Sequence, residues 1–184
     1  MSELFPTAGR FTKGYDKEAV AQFFETARDS YETGAAAEEV SFEEVRSAAF
    51  PLVRGGYDTG AVDSALSRLE AAFIQRDRAA YVARFGEPAW YSKIADEATT
   101  QYPRLLRPAG ERFSPPADGT IGYSAPEVDA LMDRLADFFD DRGPLTEADL
   151  RFALFKPAKG KGAYREAQVD AFLGRAMYVL LAVS

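Results

Sequence analysis

The chain has 184 residues, and 22 Lys plus Arg against 29 Asp plus Glu give it a formal charge of −7. That length suits one domain or two small ones with a buried core, and the acidity argues against the basic footprint that nucleic-acid binding needs. The sequence contains no Cys and no His, which excludes disulfides, thiolate nucleophiles, Cys-ligated metal, His-dependent triads and proximal-His haem. The expectation is a protein that is not an enzyme and carries no metal or cofactor.

No basic N-terminal region with a long apolar run is visible, and no apolar stretch reaches the length of a membrane span, so the expected location is cytoplasmic. In chain order, an arm with Phe5, Arg10, Phe11 and Lys13 leads into Gly14-Tyr15-Asp16 and a helix striped by Val20, Phe24, Ala27 and Tyr31. Ser41 and Glu44 then form a capping-box pattern that opens a short helix, expected to end near Phe50 with Pro51 as its stop. Leu52-Val53-Arg54 and Gly56-Tyr57-Asp58 follow, and a second long helix carries Val62, Leu66, Leu69 and Phe73 to about Phe85. A further helix is predicted from Pro88 to Tyr102, ended by Pro103 and Pro108, with Trp90 and Tyr91 inside it.

The pattern then begins again. Phe113 precedes Gly122-Tyr123-Ser124 and a helix with Val128, Met132, Leu135 and Phe139. Thr146 with Asp149 repeats the capping box, Phe155 repeats Phe50, and Lys156, Lys159 and Lys161 lead to Ala163-Tyr164-Arg165. The last helix carries Val169, Leu173, Ala176 and Leu180. In all four helices the apolar residues lie 5, 9, 12 and 16 places after the tyrosine, which is the spacing of one helical face. Asp16, Asp58 and Ser124 are expected N-caps, and the preceding glycines are expected to ease the turn into the helix.

The tyrosine spacings show a duplication. Tyr15 to Tyr57 is 42 residues, Tyr123 to Tyr164 is 41, and the two pairs are offset by 108 and 107. The predicted organisation is a two-motif unit over 1–75, a central helical bridge over 76–108, and a second two-motif unit over 109–184. Their net charges are −6, +2 and −3. The fold class is mainly α: internally duplicated helix-loop-helix units packed as one compact helical domain, with short extended arms and no long coiled coil.

The run from Phe50 through Leu52-Val53-Arg54 to Gly56-Tyr57-Asp58 and Val62, together with Phe5 through Tyr15-Asp16 to Val20, resembles the N-terminal motif of the DivIVA family. The whole chain looks like an actinobacterial protein with repeated DivIVA motifs. The resemblance implies a scaffold or adaptor of bacterial cell division or polar growth, bound peripherally to the inner face of the cell membrane. It also implies protein partners and leaves room for oligomers. By motif position it makes Leu52, Val53 and Arg54 the membrane-contact loop. Arg10, Phe11 and Lys13 in the first loop, and Lys156, Lys159 and Lys161 in the fourth, are further candidates, because basic side chains beside an apolar tip suit an anionic lipid surface. The alternative is a soluble protein-interaction module with no membrane or division role. The motif tyrosines are expected to pack at loop–helix junctions, and Asp137, Asp140 and Asp141 to form a solvated acidic surface.

Overall fold

The computed structural model describes residues 3–33 and 40–183. In order, the elements are β1 (Lys13–Tyr15), α1 (Lys17–Thr33), α2 (Phe42–Ser47), β2 (Leu52–Arg54), α3 (Thr59–Phe85), α4 (Glu87–Leu105), β3 (Ile121–Ser124), α5 (Ala125–Phe139), α6 (Glu147–Arg151), β4 (Pro157–Lys159), β5 (Ala163–Tyr164) and α7 (Glu166–Val183). The chain is mainly helical, with short extended arms and no long coiled coil among the described residues. None of these helices is long and apolar enough to cross a membrane. The chain divides into two compact units, the first ending at Ala80 and the second beginning at Tyr81.

In the first unit the predicted stripes face inward except at Tyr31, which is 41% exposed. Val20 and Ala27 of α1, Val45 of α2, and Val62, Leu66 and Phe73 of α3 form one buried cluster with Tyr57. Each valine, leucine or phenylalanine side chain so removed from water contributes on the order of 1.5–3 kcal/mol before conformational entropy is counted. The second unit has its own buried set, including Val128, Met132 and Leu135 of α5 and Val169, Leu173 and Ala176 of α7. The central helix α4 packs on α5 and α7 within this unit. Its Trp90 is fully buried and donates its indole N–H to the Ala182 carbonyl at 3.1 Å.

The two motifs of each unit cross at their tyrosines. Tyr15 N–H donates to Tyr57 O at 2.9 Å, and Tyr57 N–H donates to Tyr15 O at 2.8 Å. Asp16 N–H reaches Pro51 O, and Asp58 N–H reaches Pro6 O, both at 2.8 Å. The second unit repeats this: Tyr123 pairs with Tyr164, Ser124 N–H donates to Lys156 O, and Arg165 N–H donates to Ser114 O. The phenylalanines cross as well. Phe5 packs on Tyr57 and Phe50 on Tyr15, with ring centroids 5.4 and 5.5 Å apart. Phe113 on Tyr164 and Phe155 on Tyr123 repeat the arrangement at 5.3 and 5.2 Å. Each motif thus lends its phenylalanine to the tyrosine of its neighbour, as two halves of an approximate twofold pair do.

Four local expectations change. The motif glycines do not serve a left-handed turn, since Gly14, Gly56 and Gly122 all lack positive φ. They are small because the strands cross in contact: a Cβ on Gly14 would lie 2.1 Å from Tyr57 O, one on Gly56 2.4 Å from Tyr15 O, and one on Gly122 2.1 Å from Tyr164 O. Asp16 and Asp58 cap α1 and α3 as expected, but the Ser124 side chain does not cap α5, where Pro126 removes one of the first-turn N–H groups a cap would satisfy. Both capping boxes form, yet α2 and α6 stop at Ser47 and Arg151, and the chain reaches Phe50 and Phe155 outside any helix. Pro103 lies inside the last turn of α4, which runs on to Leu105; so near the end of a helix, the missing N–H removes a single rung.

Candidate functional site

β1 and β2 form an antiparallel ribbon in register Lys13↔Arg54, Gly14↔Val53, Tyr15↔Leu52. Side chains alternate along a strand, so Lys13, Arg54 and Leu52 share one face and Val53 lies on the other, opposite Gly14. Lys13 and Arg54 are exposed, Leu52 is 53% exposed, and Val53 is half-buried. Before β1, Thr12 closes a turn with its N–H and hydroxyl both on Gly9 O at 2.9 Å. This turn carries Arg10 and Phe11 outward, and Phe11 is 98% exposed.

The structure therefore gathers Arg10, Phe11, Lys13, Leu52 and Arg54, predicted from two separate loops, onto one ribbon and its adjoining turn. Val53, the middle residue of the predicted contact loop, faces away from them. The electrostatics are unusual for a surface shaped by stability alone. Like charges directly across an antiparallel pair are unfavourable, yet Lys13 sits opposite Arg54. No acidic side chain pairs with Arg10, Lys13 or Arg54 among the described residues. The nearby Lys17 differs: it is held by Glu3 at 2.5 Å and lies over the Tyr57 ring.

The second unit has a related ribbon, in sheet order β4-β3-β5. Lys159 lies opposite Ile121, and Lys161 follows in a 3-10 turn over Gly160–Gly162. Lys156 is engaged, with its ammonium 3.0 Å from Glu127 and its backbone N–H on the same carboxylate. Ile121 is 54% exposed and supplies the apolar neighbour that the fourth loop lacks. Sequence reasoning missed it because it belongs to the other motif and meets Lys159 only through strand pairing. Leu154 and Phe152, 93% and 69% exposed, were also missed. They follow the end of α6, in a stretch that the sequence reading expected to be helical up to about Phe155.

The remaining charged and phenolic groups hold the structure together. Tyr164 donates to Asp129 at 2.9 Å and accepts from Arg112 N–H, while the Arg112 guanidinium donates to the Asp129 carbonyl at 2.7 Å and pairs with Asp133. Tyr57, the corresponding tyrosine, accepts from Leu4 N–H. Tyr15 and Tyr123 bond to Asp63 and Asp170, which correspond across the duplication. Burial chiefly raises the pKa of Tyr15, Tyr123 and Tyr164 and keeps these phenols neutral. At the acidic end of α5, Arg142 partly offsets the carboxylates, reaching Asp137 at 2.9 Å and Asp140 at 2.6 Å. No cluster of three metal-ligating side chains occurs among the described residues. Comparison with protein-family models, with curated proteins and with solved structures found no match.

Proposed function

We propose that this chain is a non-enzymatic, DivIVA-like adaptor of bacterial cell division or polar growth that docks peripherally on anionic membrane through the β1–β2 ribbon. The observation carrying the membrane reading is Phe11, almost wholly exposed between Arg10 and Lys13, with Leu52 and Arg54 on the adjoining strand face. An exposed aromatic at the end of a basic ribbon enters the headgroup region while its cationic neighbours meet lipid phosphates.

Each basic side chain near an anionic surface contributes about 1 kcal/mol, and an inserted phenylalanine about 2 kcal/mol. Three cations and one ring give about 5 kcal/mol, weak and reversible attachment that salt screens. The division role rests on the motif resemblance, and the ribbon supports only the membrane half.

Co-sedimentation with phosphatidylglycerol vesicles tests the reading. Wild-type protein is expected to pellet at low salt and to stay in solution at moderate salt. A Phe11→Ser, Arg54→Glu variant with unchanged circular dichroism is expected to stay in solution throughout. Equal pelleting of the folded variant, or no pelleting of the wild type at low salt, would remove the ribbon as a membrane contact and leave a soluble interaction module.

A further inference from the structure

The duplication places corresponding grooves in the two units, one filled and one open. In the second unit α4 lies on α5 and α7. Its Tyr102 ring stacks on Phe139 and its hydroxyl bonds to Asp140. Its Arg104 guanidinium lies 5.0 Å over the Phe113 ring and donates to Arg112 O at 2.9 Å. At its other end Trp90 bonds to Ala182 O on α7.

By the offsets of 108 and 107, Phe113, Arg112, Phe139 and Asp140 correspond to Phe5, Leu4, Tyr31 and Glu32. The corresponding face of the first unit holds an open groove of about 630 Å³, lined by Leu4, Ala21, Phe24, Tyr31, Leu69 and Ala72 and edged by the charged Glu25 and Arg28. Burial follows the difference. Met132, Ala176 and Val179 are at most 4% exposed, whereas their counterparts Phe24, Leu69 and Ala72 are only half-buried. A face that carries a helix in one copy of the duplication lacks it in the other among the described residues.

We infer that this groove is a docking site for an amphipathic helix of a partner protein, with the chemistry that α4 shows in the second unit. That chemistry is an aromatic and an aliphatic residue one helical turn apart, as in Trp90 and Ile94, followed by a tyrosine and an arginine near the C-terminal end. The helix α4 carries Lys93 and Arg104 against Glu87, Asp96 and Glu97, so its fit rests on these apolar and aromatic side chains and the placed arginine, not on net charge. Tyr31 is the ring on which the partner's aromatic stacks, Glu32 is the acceptor in place of Asp140, and Phe5 receives the guanidinium. A helix laid along such an apolar face is a recurring mode of peptide recognition. This surface is separate from the ribbon and stands or falls without it.

The probe is a labelled synthetic peptide of residues 87–106, titrated into the full-length protein and followed by anisotropy. Binding at one site is expected. Ala72→Arg on α3 and Ala21→Arg on α1, each retaining the wild-type helical signal and melting temperature, are each expected to weaken it at least tenfold. A peptide with Trp90→Ala and Ile94→Ala should lose binding to the wild type. Absence of binding would overturn the inference. So would unchanged affinity for both groove variants, the result expected if the peptide only displaced the chain's own α4. Concentration-dependent dimerisation abolished by Ala72→Arg would also overturn it, since the occupant would then be a second copy of this chain.

Discussion

Gly14 and Tyr57 show how much of the fold rests on single residues. The spacing of the four tyrosines made the duplication legible, and the residues 5, 9, 12 and 16 places on were correctly read as one face. The reason for the glycines was not legible, because it lies across space: Tyr57 O occupies the place a Gly14 side chain would take. Gly14→Ala is therefore expected to cost about 1–3 kcal/mol, the usual penalty of overpacking. Gly162, around which a Cβ meets nothing within 4 Å, is the control, and its alanine variant should lie within about 0.5 kcal/mol of wild type. Urea unfolding of the two variants measures the difference; equal midpoints would deny the close crossing. Phe11 offers a related lesson. The other arm phenylalanines recur in every motif, whereas the positions matching Phe11 hold Val53, Gly119 and Gly160. An aromatic outside the repeat has no reserved place in the core, and that difference sets it apart from Phe5 and Phe50.

Among the elements, the helices were more legible than the ribbons. Capping boxes at Ser41 and Thr146 and stripes of period near 3.6 are local signals; the boxes marked the starts of α2 and α6, and the stripes placed α1, α3, α5 and α7. The strands are two to four residues long, too short for an alternating pattern, and their register depends on which arms cross. The register decides the candidate site, for it puts Leu52 and Arg54 beside Lys13 and turns Val53 away. It also yields a prediction that opposes stability to binding. Lys13→Glu converts the like-charged pair with Arg54 into an opposite-charged one, which should stabilise the fold by about 0.2–1 kcal/mol. The same change should weaken vesicle binding by removing one cation and adding an anion. Thermal melts and vesicle titrations of one preparation would show both effects; loss of stability would contradict the ribbon register, and unaltered vesicle affinity the role of its face.

At the scale of the molecule, the account is a motif used four times and paired twice. Each pair places both phenylalanine–tyrosine contacts within one chain, so each unit has the internal symmetry of a dimer without needing a second copy for its core. The two units differ in what they add to this plan. The first carries Phe11, Arg10, Lys13 and Arg54 on its ribbon and its adjoining turn and has an open helical groove. The second has α4 over the corresponding groove of its own and a ribbon carrying Ile121, Lys159 and Lys161. The duplication was plain in the sequence, but the filling of one groove was not, because α4 has no counterpart in the repeat and its docking face is set by tertiary packing. The central claim is that the Phe11 turn enters anionic membrane. Because the chain has no cysteine, a single Thr12→Cys change places an environment-sensitive fluorophore beside Phe11 alone. On phosphatidylglycerol vesicles at low salt its emission should shift to the blue, become accessible to a bilayer-depth quencher, and return to the aqueous value as salt is added. An emission that stays aqueous on those vesicles would contradict the claim.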